Sequence, residues 1–303
     1  MTDAPAERVL TPPIKAAAIT RRPASARSVA TKVGFVVLLL FFTVLFIYPF
    51  VWLISASLKP GAEVFSDELL SDPIRWENYS RLFETTQMAQ WTINSTLVAF
   101  LAASTVTISS ALVAFAFAYF RFPYRNAVFG IVLISMMLPG AVTMIPNFLI
   151  WNALGWVNTL VPLWAANIFG SPFYIFLLSQ FFLGLPRELF DAARVDGANY
   201  LRMWWSVAMP LTRAALIVVF VFELKAAWTD LVKPLIFLRD FDLFTLPLGL
   251  KSAILDNPSI GGERHFELLA VGGVIVTVPM IIIFFLAQRY FLEGIATTGS
   301  TGR

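Results

Sequence analysis

Pro186-Arg-Glu-Leu-Phe-Asp-Ala-Ala-Arg-Val-Asp-Gly-Ala-Asn-Tyr200, continuing as Leu201-Arg-Met-Trp-Trp-Ser-Val-Ala-Met-Pro-Leu-Thr212, is a charged stretch set between two long apolar ones. Its residue order predicts two short helices meeting at an elbow. Pro186 suits a first helical turn, and Glu188 and Asp191 then lie near the positive end of the helix dipole, which favours them. Ala192 and Ala193 are helix-favouring and small, so another protein can approach closely. Gly197 stops the first helix and Asn199 caps the second, which is expected to run to Val207 or Ala208, ahead of Pro210. With Arg187, Arg194, Arg202 and Arg213 spread along it, the elbow belongs in water. The runs on either side of it, 159–183 and 213–231, do not.

Working outward, the chain is short of polar cover. Its 303 residues are 58% hydrophobic and 14% charged, with a mean hydropathy of +0.75, whereas a soluble domain carries about 25% charged residues. The shortage makes lipid the solvent for much of the chain. The 29 Phe and nine Trp fit that solvent, since apolar rings face tails and indoles favour the interface. There is no Cys, which excludes disulfides, thiol nucleophiles and thiolate metal sites. The single His265 excludes a His-rich metal site. No stripe of Lys and Arg with interleaved aromatics marks a nucleic-acid partner.

Six apolar stretches, at 33–57, 92–120, 127–150, 159–183, 213–231 and 268–288, each approach the roughly 20 residues a bilayer requires. The predicted fold is therefore all-α: a polytopic membrane helix bundle of six transmembrane helices. The first run follows about 30 polar or small residues and is too long for the core of a signal peptide, so it is expected to stay as a span. Residues 1–32, rich in Ala, Pro, Ser, Thr and Arg, read as a basic, disordered cytoplasmic tail near anionic lipid. Residues 33–303 then form one transmembrane domain containing the elbow at 186–212. Pro139, Gly140 and Pro146 predict a kinked or broken third span, and Pro162 with Gly170-Ser171-Pro172 a broken fourth. Such breaks survive only where neighbouring protein or a wet cavity satisfies the freed backbone groups. With the N-terminus inside, fourteen of the 22 bases fall on the cytoplasmic side and seven outside, with Lys225 in a span. That asymmetry predicts both termini and the elbow in the cytoplasm. Two segments, 59–91 and 233–267, form long external loops. No repeat with a period of 20–50 residues is visible.

Polar residues within the spans are the candidates for a translocation path. Glu223 and Lys225 lie in the fifth run, where a charge at the bilayer centre costs about 2.5–3.5 kcal/mol. Two positions apart, they diverge by about 200° around a helix, so at least one needs another partner or water. Either Glu223 faces a polar cavity, or a break near Trp228-Thr229-Asp230 leaves both charges at a wet helix end. Trp228 and Asp230 have the chemistry to bind a polyol, by ring stacking and by accepting from hydroxyls. The reading as an interfacial Trp and a helix-end Asp is preferred. Asn147 and Asn167, on the third and fourth spans, are costly if they face lipid.

The elbow resembles the "EAA" loop of ABC importer permeases: Glu-Ala-Ala, three residues, Gly, nine residues, Ile-x-Leu-Pro. Here the pattern reads Asp191-Ala192-Ala193, Gly197, then Val207-Ala208-Met209-Pro210, with every spacing kept. Asp196 and Ala198 beside Gly197 match it too. Asp191 stands for the usual Glu, and Val207 and Met209 for Ile and Leu. More loosely, Tyr48-Pro49-Phe50-Val51-Trp52, Ser57-Leu58-Lys59-Pro60, Asn78-Tyr79, Trp91-Thr92-Ile93-Asn94-Ser95, Thr245-Leu-Pro-Leu-Gly-Leu250 and Gln288-Arg-Tyr-Phe-Leu-Glu-Gly294 resemble carbohydrate-uptake permeases of the maltose type. The last of these looks like the shorter, six-span partner of the permease pair. The resemblance implies the type I ABC importer permease fold. It also implies four kinds of partner: a second, different permease subunit, an ATPase dimer, an extracytoplasmic solute-binding protein and the lipid bilayer. In that family the first helix of the loop docks in a cleft of the ATPase. The coupling residues carried over are Glu188, Asp191, Ala192, Ala193, Asp196, Gly197, Ala198 and Pro210. This chain has no Gly-x-x-x-x-Gly-Lys-Ser/Thr phosphate loop, so it is expected to hold no cofactor and to be no enzyme, with ATP and magnesium on the partner ATPase. The expected function is import of a sugar or oligosaccharide by alternating access. A glycerol-phosphate-type polyol stays open as a substrate, and an ion-coupled secondary transporter or channel as a function. The motifs of an intramembrane enzyme are missing from the spans.

Overall fold

The computed structural model describes residues 26–256 and 265–299. The expected disordered tail lies outside the described residues as far as residue 25, as do 257–264 of the second long loop and 300–303. The chain divides into two units, one ending at Phe50 and one beginning at Val51. The first contains most of helix α1 (Ala26–Ser57), which starts ahead of the apolar run at 33. The second carries α2 (Glu77–Thr85), α3 (Met88–Tyr119), α4 (Arg125–Ser135), α5 (Gly140–Ala153), α6 (Val161–Trp164) and α7 (Pro172–Leu183). It continues with α8 (Arg187–Val195), α9 (Tyr200–Met203), α10 (Met209–Leu211), α11 (Arg213–Trp228), α12 (Val232–Phe237), α13 (Leu246–Leu250) and α14 (Phe266–Gly299). No strand occurs among the described residues. This is an all-α, multi-pass membrane protein.

Four stretches are long and apolar enough to cross a bilayer: Thr31–Ser57, Met88–Tyr119, Val161–Leu183 and Phe266–Phe291. Two further helix pairs are bent, α4 with α5 by 98° and Tyr200–Leu211 with α11 by 84°. The run at 127–150 is thus two helices at nearly a right angle, more than a kink. Pro139 disfavours the helical conformation for Leu138 and is itself extended, with ψ of 133°. Pro146, in contrast, stays inside α5. The fourth run breaks between α6 and α7, where a 3₁₀ turn spans Ala165–Phe169 and Gly170 takes a φ of 80°.

Helix α3 is the hub, packed chiefly on α7 and α11. Its buried positions Ala99, Ala102, Ala103, Val106, Ser110, Ala111, Ala114 and Ala118 recur every three or four residues, so they share a face. Small side chains there let neighbouring helix backbones come close, which is how association is gained when the surroundings are as apolar as leucine. Ile93, Leu97, Phe100, Ile108 and Leu112 of the same helix point out of the bundle. In hydrocarbon that costs nothing.

At one end of the bundle, side-chain amides hold irregular backbone. Asn94 Nδ2 donates to the carbonyls of Asp242 (2.8 Å) and Phe244 (2.9 Å). Ser95 Oγ accepts from Leu246 N at 2.7 Å, and Trp91 Nε1 donates to Phe241 O at 2.9 Å. Asn78 Nδ2 donates to the carbonyls of Ser57 and Lys59 at 3.0 and 2.9 Å, and Ser55 Oγ donates to Leu69 O. Lys59, only 1% exposed, spends its ammonium on the carbonyl and hydroxyl of Ser66. Arg81 and His265 both reach Glu267 Oε1, at 3.5 and 2.9 Å. The two long loops are therefore sewn to each other and to the starts of α3 and α14.

Gly249 marks the tightest point in this seam, because a Cβ built there would lie 2.1 Å from Cδ2 of the buried Trp91. Overpacking of this kind costs about 1–3 kcal/mol. Gly249→Ala is expected to lower the thermal unfolding midpoint in detergent by several degrees. Gly130→Ala, with nothing within 4 Å, leaves it in place. Equal midpoints for the two variants would contradict the packing described.

Candidate coupling and transport site

The elbow folds as a helix, a left-handed stop and a second helix. α8 ends in a double bond: Ala198 N donates to Ala193 O at 2.9 Å and Gly197 N to Arg194 O at 3.0 Å. This is the Schellman arrangement, and it needs Gly197 at its φ of 78°. Asn199 then caps α9, its Oδ1 accepting from Arg202 N at 2.8 Å. The second helix does not stop at Val207 or Ala208. A π turn at Trp204–Ala208 lets Met209 N–H reach Trp204 O, five residues back, and α10 carries the chain through Pro210 to Leu211. Because proline has no N–H to donate four residues back, the wider turn absorbs the defect. The sharp bend then comes at Thr212, before α11.

Phe190 seats the elbow. It is 4% exposed, with its ring centroid 5.8 Å from Phe115 of α3 and 5.4 Å from Tyr119. Met203, Trp204 and Ala208 bury the second helix in the same cluster, and Tyr200 meets Phe120 at 4.9 Å. On the other side of α8, Glu188, Asp191, Ala192 and Val195 are exposed, at the i, i+3, i+4, i+7 spacing of a single face. Val195 is 88% exposed. Neither Glu188 nor Asp191 has an ion-pair partner among the described residues. Asp196, Gly197 and Pro210 are exposed as well, while Ala193 and Ala198 are half-buried against the bundle. The result is a fixed peg with an apolar and acidic outer face.

The polar residues of the spans divide into two groups. Asn167 and Glu223 come together, with Asn167 Nδ2 donating to Glu223 Oε1 at 2.7 Å. Trp228 is 5% exposed and its Nε1 donates to Val276 O at 3.0 Å, so its ring is packed within the chain. Asp230 Oδ1 accepts from the backbone N–H groups of Val232 and Lys233 (2.9 and 3.3 Å), and Oδ2 lies 3.9 Å from Lys233 Nζ. It caps α12. Asn147 is half-buried on α5. Sequence reasoning missed Tyr174, a buried residue whose hydroxyl lies near Glu223, and Ser109, which donates to Asn167 O at 3.0 Å. A tyrosine two residues past Pro172 in an otherwise apolar run was the available signal for the first. Lys225 is exposed on α11. No group of three or more His, Asp or Glu among the described residues is placed to hold a metal ion.

Relatives share this architecture along nearly their whole length. The arabinooligosaccharides transport system permease protein AraQ of Halalkalibacterium halodurans is 32% identical over 261 residues, covering 84% of this chain and 91% of that one. The sn-glycerol-3-phosphate transport system permease protein UgpE of Yersinia pestis is 28% identical over 269 residues, 86% and 94% of the two chains. Among solved structures, a chain of a bacterial ABC transporter involved in the import of the acidic polysaccharide alginate superposes with a TM-score of 0.76 at 26% identity, covering 88% of this chain and 98% of that one. Residues 107–296, which include α7, α11 and the elbow between them, match the family model described as binding-protein-dependent transport system inner membrane component. With that match over more than half its length, the chain belongs to the family of inner-membrane permease components of binding-protein-dependent transport systems.

Proposed function

We propose that this chain is one of two different membrane subunits of an ABC importer, and that it passes a saccharide or related polyol inward by alternating access. An ATPase dimer binds ATP and magnesium and supplies the motion. An extracytoplasmic solute-binding protein delivers the cargo, in keeping with the family's binding-protein dependence. The carbohydrate class rests on the relatives, which carry arabinooligosaccharides and sn-glycerol-3-phosphate or belong to an alginate importer by their names. The excess of Lys and Arg on the elbow side puts that side and both termini in the cytoplasm. The opposite end, with its sewn loops, then meets the binding protein.

One observation carries the coupling role: the unpaired outer face of α8, held rigid by Phe190 and by the Gly197 stop. A helix that buries one side in the bundle and leaves acid, alanine and valine open on the other is shaped for a protein cleft with a basic lining. Closure of the ATPase dimer pushes this peg, and because α7 leads into the elbow and α11 leaves it, the push reaches both helices. Chemistry in this chain is limited to binding and motion.

Gly197→Asp puts a Cβ on a left-handed residue, at about 1–2 kcal/mol for an ordinary side chain, and a second carboxylate beside Asp196. ATP-dependent uptake is expected to fall below a tenth of wild type with membrane insertion intact, and unchanged uptake would count against the coupling role. Asp191→Ala removes an exposed acceptor without touching the bundle. In a pull-down from detergent, less ATPase should be retained. Undiminished retention would remove Asp191 from the contact.

A further inference from the structure

The carboxylate of Glu223 is bonded to the turn that breaks the fourth span. Asn167 stands before the break, in the 3₁₀ turn, and donates Nδ2 to Glu223 Oε1 at 2.7 Å. Tyr174 stands after it, in the first turn of α7, with its hydroxyl near Glu223. The intervening backbone is tied to α3: Ser109 Oγ donates to Asn167 O at 3.0 Å, and Ser110 Oγ accepts from Ser171 N at 3.0 Å. The second hydrogen of Asn167 Nδ2 points to Ala102 O, at 3.4 Å. Gly170 leaves no slack, since a Cβ there would come within 3.3 Å of both Ser110 Oγ and Ile175 Cδ1. Glu223 lies ten residues into α11, roughly 15 Å from the elbow and about halfway across a 30 Å hydrocarbon layer.

We propose that Glu223 is a positioning residue that turns this break into a rigid joint, so that displacement of the elbow reaches the far half of the fourth span instead of being absorbed at Gly170. The proposal rests on the coupling role assigned above. α7 feeds the elbow and α11 carries the chain away from it, and the carboxylate ties α11 to the turn ahead of α7 through Asn167. Without an acceptor at position 223, the half-buried amide of Asn167 loses its shortest hydrogen bond and the turn at 165–171 becomes the softest point between the elbow and the opposite end.

The test uses the whole complex, with its ATPases and binding protein, in proteoliposomes, with solute uptake and ATP hydrolysis measured in the same vesicles. Glu223→Leu is expected to lower the ratio of solute carried to ATP hydrolysed about tenfold. Glu223→Gln keeps an oxygen for Asn167 and should retain at least half the wild-type ratio. Asn167→Ala, which removes the donor to Glu223, serves if the Leu variant does not assemble, and should lower the ratio two- to threefold. A proportional fall in transport and hydrolysis, with the ratio unchanged, would reduce Glu223 to a stabilising residue and overturn the proposal. A Gln variant as impaired as Leu would overturn it too, by making charge rather than hydrogen bonding the requirement. So would a raised KM for solute at a wild-type ratio, which would place Glu223 on the cargo. Wild-type vesicles that carry solute equally well without ATP would instead refute the function proposed above.

Discussion

Inside a bilayer there is no water to take up a loose N–H or C=O, and that constraint governs how this chain is allowed to depart from straight helices. Two departures show how the freed groups are met. At the break between α6 and α7 the partners are Ser109 and Ser110 of α3 and the carboxylate of α11. Near Pro210 the helix widens to a π turn instead of opening. The alanine face of α3 makes the first solution possible, because only small side chains let an irregular backbone approach near enough to reach Ser109 and Ser110.

The two ends of the bundle are built on different principles. At one end, asparagine and serine side chains bridge segments about 150 residues apart in sequence, as with Asn94 and Phe244, and the loops become a single hydrogen-bonded layer. At the other, the elbow is held by aromatic packing around Phe190 and by its own caps, and it spends none of its outer carboxylates on internal bonds. An end held by polar bonds resists shear between loops. A peg anchored on its inner face alone keeps the opposite face free for another protein.

The sequence was most legible where a single physical rule dominates. The need for about 20 apolar residues located the spans, and Gly197 and Asn199 located the elbow's stop and cap from local chemistry. It was least legible where two rules compete. Pro139 and Pro146 look alike in sequence, yet one separates two helices set at 98° and the other sits inside α5. Pro210 marks a helix end by propensity, but the π turn ahead of it carries the helix onward to Leu211. Trp228 and Asp230 carry both sugar-binding chemistry and that of an interfacial Trp with a helix-end Asp, and in the fold each bonds to backbone groups of this chain.

The one-dimensional pattern by itself determined that this is a helical membrane protein with a water-facing elbow of defined spacing, because hydropathy, helix caps and glycine stops act over a few residues and need no distant partner. Only tertiary structure decided which intramembrane polar groups meet. Glu223, Asn167 and Tyr174 lie up to 56 positions apart, and nothing local in any of them specifies the others. Their meeting follows from how closely α7 and α11 lie against the small-residue face of α3, a packing distance that sequence spacing does not encode.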